Sequence, residues 1–282
     1  MCRKPVTIRL GYSPCPNDTF IFFALAEGRI DAAPYRFETL LADVEALNQK
    51  ARRGELDVTK VSAHAIAHLL DEYCLLRSGG AIGRGCGPLI VARDDFSMDD
   101  LRNKRMAIPG RLTTANLLLR IQGIHKGGSI EMPFDRIMDA VASGEVDAGV
   151  IIHEGRFTYP SRGLKLVCDL GEWWEGHTGL PLPLGGILVR RDLGGSAART
   201  IEDGIRRSLL YAWNRPEEAW PCVRSHAQEM DPEVMRRHID MFVNDFSADV
   251  GDEGERAIRY MVEAACGLDG LPLPQRPVFR DE

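Results

Sequence analysis

The residue most able to do chemistry in this sequence is a histidine that directly follows a predicted buried strand. Val150, Ile151 and Ile152 form an apolar run without polar alternation, which favours a strand buried on both faces at the centre of a parallel sheet. Ligands of open α/β sheets bind beyond the carboxyl ends of the strands, where the next residue, His153, would lie. Its ordinary pKa of about 6.5 suits proton transfer near neutral pH. His153 is therefore a catalytic candidate, although a histidine at a strand end often has only a structural role.

A second candidate segment is the loop Ser13–Phe20, which follows a predicted strand over residues 7–12. Two prolines end that strand, and Asn17 or Asp18 is expected to cap the helix that begins here. The amide groups at this helix start would face the same sheet edge as His153, which suits an anion. Cys15 is a possible nucleophile, but an inert buried thiol is favoured because nothing in the sequence indicates a lowered pKa.

Two threonines precede another predicted helix. Thr113 and Thr114 follow a strand over residues 106–108 and a Pro-Gly turn. Hydroxyl side chains at this position are first of all helix caps. A glycine-containing loop, two hydroxyls and unpaired amide groups also form a good cradle for a carboxylate. The sequence leaves capping and carboxylate binding equally open.

A short sequence pattern that occurs twice suggests two comparable lobes. Gly54-Glu55-Leu56-Asp57 leads into a strand that ends at Ser62-Ala63-His64, much as Gly144-Glu145-Val146-Asp147 leads to His153. Two strand ends of this kind predict a shared ligand cleft, and Ser62, Ala63 and His64 become binding candidates. Asn48 is either an exposed polar residue or a further cleft contact.

Metal and cofactor motifs are weak in this sequence. His64 and His68 have a spacing that can ligate a metal on one helix face, but no third ligand is evident nearby, so no metal is predicted. The glycine-rich segment 78–88 is neither a Walker A loop nor a dinucleotide fingerprint. It predicts backbone that bends tightly beside a ligand or another strand. Trp173 and Trp174 either stack on a flat ligand or, more commonly, pack as bulky rings at a lobe surface.

The elements that would position these residues form a soluble α/β protein. With 282 residues and 44% hydrophobic content, two lobes of ordinary size are expected. The net charge of -6, without a basic face, argues against nucleic acid and for a small-molecule partner. No run of about 20 apolar residues indicates a membrane span. The start, Met1–Pro5, lacks a signal-peptide core, and the seven cysteines lack CxxC spacing, so a cytoplasmic location is expected.

Strands and helices alternate along the first two thirds of the chain, and the remainder is predicted to be helical. Two crossings are expected, near residues 93 and 187. They give one lobe of residues 1–93 and 188–282 and a second lobe of residues 94–187. The C-terminal helices are interpreted as scaffold, with His226 and His238 as surface residues.

Several of these segments together resemble the 1,4-dihydroxy-6-naphthoate synthase family. The resemblance covers nearly the whole chain, and its motifs are Ser13-Pro14-Cys15-Pro16-Asn17-Asp18-Thr19-Phe20, Thr59-Lys60-Val61-Ser62, Pro109-Gly110-Arg111 with Thr113-Thr114, Ile151-Ile152-His153-Glu154 and Gly179-Leu180-Pro181-Leu182-Pro183-Leu184-Gly185. It implies a two-lobe, type II periplasmic-binding-protein-like α/β fold with a hinged cleft.

The resemblance also implies a chemistry. The family acts in the futalosine route to menaquinone on cyclic dehypoxanthinyl futalosine, a carboxylate, and releases dihydroxyacetone without a metal or organic cofactor. It implies that His153 is the general base and that Ser62–His64 and Thr113–Thr114 bind the substrate. Asp18 is expected to orient substrate hydroxyls.

Three functions from different classes fit the sequence. The first is the naphthoate-forming lyase, the second is a non-catalytic solute-binding protein, and the third is the chorismate dehydratase of the same pathway. A binder would need no histidine at the centre of its cleft, and the Ser13–Asp18 and Leu182–Gly185 motifs favour the lyase over the dehydratase. The oligomeric state is not predicted.

Overall fold

Two mixed β-sheets form the frame of the protein. A computed structural model describes residues 5–227 and 231–280. The segment Met1–Pro5, for which no signal peptide is predicted, lies largely outside these ranges. The first sheet has the order β2-β1-β3-β11-β4, with β5 paired to β11. Its strands are β1 (Val6–Tyr12), β2 (Tyr35–Leu41), β3 (Val58–Ser62), β4 (Tyr73–Leu75), β5 (Ala81–Gly83) and β11 (Leu182–Arg190).

The second sheet contains the strand that leads to His153. Its order is β10-β6-β9-β7-β8, and its strands are β6 (Leu89–Ala92), β7 (Met106–Ile108), β8 (Ser129–Glu131), β9 (Ala148–Ile151) and β10 (Lys165–Asp169). Strand β9 is central and buried throughout, as predicted. The sheet is mixed rather than parallel, because β9 pairs parallel to β7 and antiparallel to β6.

Helices cover both sheets. They are α1 (Pro16–Ala26), α2 (Val44–Arg52), α3 (Ala63–Ile66), α4 (Thr114–Gln122), α5 (Phe134–Ser143), α6 (Gly155–Thr158), α7 (Leu170–Thr178), α8 (Gly195–Asn214), α9 (Pro216–His226), α10 (Pro232–Phe242), α11 (Asp245–Ala248) and α12 (Gly251–Asp269). No helix in the described ranges combines the length and the apolar composition needed to cross a bilayer.

The strand pairing places both crossings between the lobes at positions other than those predicted. Strand β6 was assigned to the first lobe, but it pairs with β9 and β10 in the second sheet. The first half of β11 was assigned to the second lobe as a Pro-Gly loop, but the whole strand lies in the first sheet. It accommodates Pro183 at a register shift beside β5, where a missing amide hydrogen is tolerated. The chain therefore crosses between Gly83 and Leu89 and returns just before Leu182.

Two glycines allow the first crossing to pass close to α7. A Cβ atom on Gly87 would lie 2.3 Å from backbone atoms of Gly171, and one on Gly171 would lie 2.7 Å from Gly87. Only residues without side chains fit this approach. The prediction that the glycine-rich segment bends tightly against a neighbour is confirmed.

Two predicted helix features are wrong. Cys15, not Asn17 or Asp18, is the N-cap of α1, because Pro16 occupies the first helical position, where its fixed φ fits. The helix expected to carry both His64 and His68 on one face does not form, because α3 is a single turn over Ala63–Ile66. The amides of His68 and Leu69 then bond to carbonyl oxygens three residues back, which produces tight turns instead of a continued helix.

Candidate functional site

The largest set of predicted site residues meets in a cleft between the two sheets. Small organic ligands commonly bind in concave sites of this kind between lobes. Its walls come from the ends of β1, β3 and β9 and from the starts of α1 and α4. The lining includes Ser13, Asn17, Asp18, Lys60, Ser62, Cys86, Thr113, Thr114, Ile152, His153, Leu184, His238 and Phe242.

His153 stands at the end of β9 in an unusual backbone conformation. Its φ of 54° is the only positive value of a non-glycine residue in the described chain, and such strain is often found at functional sites. The ring is packed edge-on against Phe134, with centroids 4.9 Å apart. Burial lowers its pKa below 6.5, although the carboxylates of Glu154 and Asp18 act in the opposite direction. The imidazole is therefore neutral at neutral pH and can accept a proton.

Cys15 is a partner of this imidazole and not a nucleophile. Its sulfur lies 3.5 Å from Nδ1 of His153. The side chain is buried, and desolvation raises the pKa of the thiol far above its ordinary range. A thiol held in its neutral form is a poor nucleophile, which supports the interpretation of Cys15 as an unreactive thiol.

Asp18 lies in the cleft wall with every acceptor position in use. Its Oδ2 atom accepts from the amide and the hydroxyl of Ser13 at 3.1 and 2.7 Å. Its Oδ1 atom accepts from Nδ2 of Asn17 and Nζ of Lys60, each at 2.8 Å. Asp18 and Lys60 form a buried ion pair, with side chains 2% and 6% exposed. Asp18 therefore fixes its neighbours more directly than it contacts a ligand.

The two threonines use their hydroxyl hydrogens to build the cleft. Thr113 donates to the carbonyl of Gly110 at 2.7 Å and caps α4 by accepting from the amide of Asn116. Thr114 donates to the carbonyl of Leu184 at 2.6 Å and accepts from the amide of Ala63 at 3.0 Å. Thr114 thus bridges the two lobes. The amides of Thr113, Asn116 and Leu117 already have acceptors, so those of Thr114 and Ala115 are the donors that the start of α4 can offer to an anion.

Ser62 lines the cleft, and Asn48 holds it from behind. The Asn48 side chain is fully buried and does not line the cleft. Its Oδ1 atom accepts from the Ser62 amide at 2.9 Å, and its Nδ2 atom donates to the Ser62 hydroxyl at 3.1 Å and to the Leu112 carbonyl at 3.3 Å. Asn48 therefore ties the end of β3 to the loop before α4 in the other lobe.

His64 points away from the cleft into a polar cluster formed by His64, His68, Arg120 and Asp269. Nε2 of each histidine lies 2.7 Å from Oδ2 of Asp269, and Arg120 donates to Oδ1 at 2.6 Å. Asp269 is the third potential metal ligand that the sequence did not reveal, because it lies some 200 residues away in the chain. The Arg120 guanidinium already balances the carboxylate charge, which disfavours a metal cation at this cluster.

Sequence reasoning missed two cleft residues. Lys60 was read only as part of a strand. His238 was interpreted as a surface residue, but it is 1% exposed, and its ring stacks on that of His153 with centroids 6.2 Å apart. A signal for its burial existed, because Met235, Ile239 and Phe242 place His238 on the apolar face of α10.

Comparison with known proteins connects this cleft to a family. The sequence model of a family described as menaquinone biosynthesis matches residues 8–266. A 1,4-dihydroxy-6-naphthoate synthase of Thermus thermophilus is 53% identical over 275 residues, which cover 96% of this chain and 98% of the relative. This chain belongs to the 1,4-dihydroxy-6-naphthoate synthase family. Another synthase of that name, from Streptomyces coelicolor, is 48% identical to this family member over 94% of the chain and 95% of the relative.

Solved structures support the fold of this member of the synthase family. A protein of Archaeoglobus fulgidus superposes with a TM-score of 0.87 at 39% identity, over 94% of this chain and 98% of that one. An alkanesulfonate-binding protein of Xanthomonas axonopodis, solved with bound MOPS, gives a TM-score of 0.71 at 16% identity, over 99% and 98% of the two chains. The predicted two-lobe, periplasmic-binding-protein-like fold is confirmed. Family membership also identifies the chain as an enzyme of menaquinone biosynthesis.

Proposed function

We propose that this protein is a carbon–carbon lyase that converts cyclic dehypoxanthinyl futalosine to 1,4-dihydroxy-6-naphthoate and releases dihydroxyacetone. Two relatives carry the name of a synthase of that naphthoate. The observation that carries the proposal is a neutral imidazole, His153, in the wall of the cleft between the two lobes. The fold alone would fit a solute-binding protein equally well, so the chemistry of this residue decides the proposal.

His153 is the proposed general base. The sulfur of Cys15 can accept the hydrogen of Nδ1 at the observed 3.5 Å, and that tautomer leaves the lone pair of Nε2 for the substrate. Phe134 restrains the ring from one side. When His153 removes a substrate hydroxyl proton, the oxygen forms the carbonyl bond of the released ketone, and the electron pair of the broken carbon–carbon bond passes to the bicycle. The bicycle takes up the proton from His153 and becomes aromatic, which makes the sequence favourable. A positioned base contributes about 10²–10⁴-fold to such a step.

The start of α4 is the proposed site for the substrate carboxylate. Unpaired amide groups and the positive end of the helix dipole attract an anion there. Thr113 and Thr114 hold this helix start through Gly110 and Leu184, while Ser62 contributes a hydroxyl from the other lobe. Asp18 positions the side chains of Lys60 and Asn17 by accepting a hydrogen bond from each. Lys60 and Asp18 together add no net charge, so the helix start provides the attraction for the carboxylate.

The direct test is product analysis with the purified protein. Incubation with cyclic dehypoxanthinyl futalosine should yield 1,4-dihydroxy-6-naphthoate, followed by its fluorescence, and an equal amount of dihydroxyacetone, measured with a coupled enzyme. A parallel incubation with chorismate should give no dehydration product. Absence of naphthoate from the first incubation, or turnover of chorismate in the second, would overturn the proposal.

A further inference from the structure

A second imidazole in the cleft has a defined position but no assigned task. His238 belongs to α10, is 1% exposed and is part of the cleft lining. Its ring lies nearly parallel to that of His153, with an interplanar angle of 20°. Phe242 packs on it with centroids 4.6 Å apart. The centroids of the two imidazole rings are 6.2 Å apart, and Nδ1 of His238 makes no hydrogen bond to His153.

A chain of hydrogen bonds fixes the tautomer of His238. The carboxylate of Asp18, paired with Lys60, can only accept, so the Asn17 atom 2.8 Å from it must be the amide nitrogen. The amide oxygen of Asn17 consequently faces Nε2 of His238 at 2.9 Å. Because that oxygen can only accept, Nε2 carries the ring hydrogen. Nδ1 is then an unprotonated acceptor.

This acceptor has no protein partner. Nδ1 of His238 is one of two buried side-chain nitrogen or oxygen atoms in residues 5–227 and 231–280 without a hydrogen bond. The other belongs to His64, outside the cleft. Burial, together with the neighbouring His153, lowers the pKa of His238 well below 6.5, so the ring stays neutral. An unpaired buried acceptor destabilises a fold, and its retention in a ligand cleft indicates that a ligand satisfies it.

We infer that Nδ1 of His238 accepts a hydrogen bond from a hydroxyl group of the bound ligand, and that the Lys60–Asp18–Asn17 chain maintains the tautomer required. The inference rests on the proposed function, which supplies a hydroxylated substrate. It makes His238 a residue that selects for a hydroxyl donor and helps to align it beside His153.

Two near-isosteric variants separate this task from a packing role. Asparagine carries its amide close to the position of Nδ1, whereas glutamine reaches the position of Nε2 and can keep the contact with Asn17. We expect His238→Gln to lower kcat/KM about tenfold, the order of one lost hydrogen bond, and His238→Asn to lose less. If His238→Gln equals or exceeds His238→Asn in kcat/KM while both melt cooperatively, the ring only supports the fold, and the inference is overturned.

Nitrogen NMR of the histidine rings tests the inference without turnover. In the ligand-free protein, His238 should show hydrogen on Nε2 and a bare Nδ1. Addition of 1,4-dihydroxy-6-naphthoate, which carries two hydroxyls, should shift the Nδ1 resonance of His238. A protonated Nδ1, or a resonance that saturating naphthoate leaves unmoved, would overturn the inference even if the variants do not fold. If the protein shows no lyase reaction but naphthoate still shifts the Nδ1 resonance of His238, the proposed function is refuted and the role of Nδ1 as an acceptor is retained.

Discussion

Two pairs of histidines in this protein have opposite surroundings. His64 and His68 both lie against one oxygen of Asp269, and Arg120 takes the other oxygen. In the cleft, His153 has only a weak sulfur partner at 3.5 Å, and Nδ1 of His238 has none among the described residues. The first pair is held through Nε2 by a carboxylate of the protein, although Nδ1 of His64 is also unpaired among the described residues, whereas the second pair lines the cleft.

The two kinds of surroundings meet on one helix, α4, which has one end in the cleft and the other in the Asp269 cluster. Helix α4 begins with Thr114 in the cleft and carries Arg120 near its other end, in the Asp269 cluster. Asp269 closes α12 of the C-terminal scaffold, so the cluster anchors the ligand-binding helix to the first lobe. Histidines held by a carboxylate at the end of a helix therefore indicate anchoring, and histidines that line a cleft indicate a site of reaction.

The largest expected effect is on kcat, which should fall when a cleft histidine is replaced but not when a histidine of the Asp269 cluster is replaced. His153→Asn should lower kcat by at least about 100-fold, because a positioned base contributes about 10²–10⁴-fold, while ligand binding persists. His64→Asn is the matched control in the cluster and should retain kcat. Steady-state kinetics on both variants checks this, and retention of more than about a tenth of wild-type kcat by His153→Asn would remove its role as the base.

A second prediction concerns the buried ion pair beside the cleft histidines. Asp18→Asn leaves the Lys60 ammonium without its counter-charge, and loss of one partner of a buried pair destabilises by about 3–5 kcal/mol. The double variant Asp18→Asn with Lys60→Met should be more stable than Asp18→Asn alone. Urea unfolding of the three proteins measures this, and a single variant as stable as wild type would show that the pair is not desolvated.

Thr114 lies where the cleft and the lobe contact coincide, and its removal should act mainly on binding. Thr114→Ala loses the bonds to Ala63 and Leu184, each with a typical contribution of about 0.5–1.5 kcal/mol. We therefore expect KM to rise roughly ten- to a hundredfold, with a smaller change in kcat. Thr114→Ser retains the hydroxyl and is the control; equal KM values for alanine and wild type would contradict the assignment.

The smallest effect is expected for the cluster, as a change in stability across the acid range where Asp269 becomes protonated. Burial raises the pKa of Asp269, but hydrogen bonds from His64, Arg120 and His68 outweigh it and hold the pKa at about 2. A carboxylate with a lowered pKa stabilises the fold above its ordinary value of 3.8 and loses this contribution as pH falls towards 2. Asp269→Asn should flatten the loss of thermal stability over that range. An unchanged acid slope would show that the cluster does not stabilise the fold.

Local sequence signals predicted the elements that depend on nearby residues. The strands predicted over residues 7–12 and 106–108 and the threonine cap of α4 occur as expected, because strand composition and capping are decided within a few residues. The lobe boundaries near 93 and 187 were displaced because strand membership depends on distant partners. A short apolar run such as Leu89–Ala92 does not reveal which sheet it joins.

The candidate site was predicted in outline. Asp18, Ser62, Thr113, Thr114 and His153 all line one cleft, as motifs at strand ends suggested. Ala63 takes part through its amide, and Asn48 acts from behind the wall. His64 and His238 exchanged places relative to expectation, because long-range packing of α10 and α12 decides which histidine faces the cleft.

The most direct test of the central claim, that neutral His153 accepts the substrate proton, is the pH dependence of kcat/KM, which reports the ionisation of the free enzyme. Burial lowers the pKa of His153 below 6.5, and only the neutral ring can act as the base. The wild-type kcat/KM should therefore rise through an apparent pKa below 6.5 and level off towards neutral pH, and this acid limb should be missing from the residual activity of His153→Asn. A wild-type kcat/KM that does not fall in acid, or an acid limb that persists in the variant, would contradict the account.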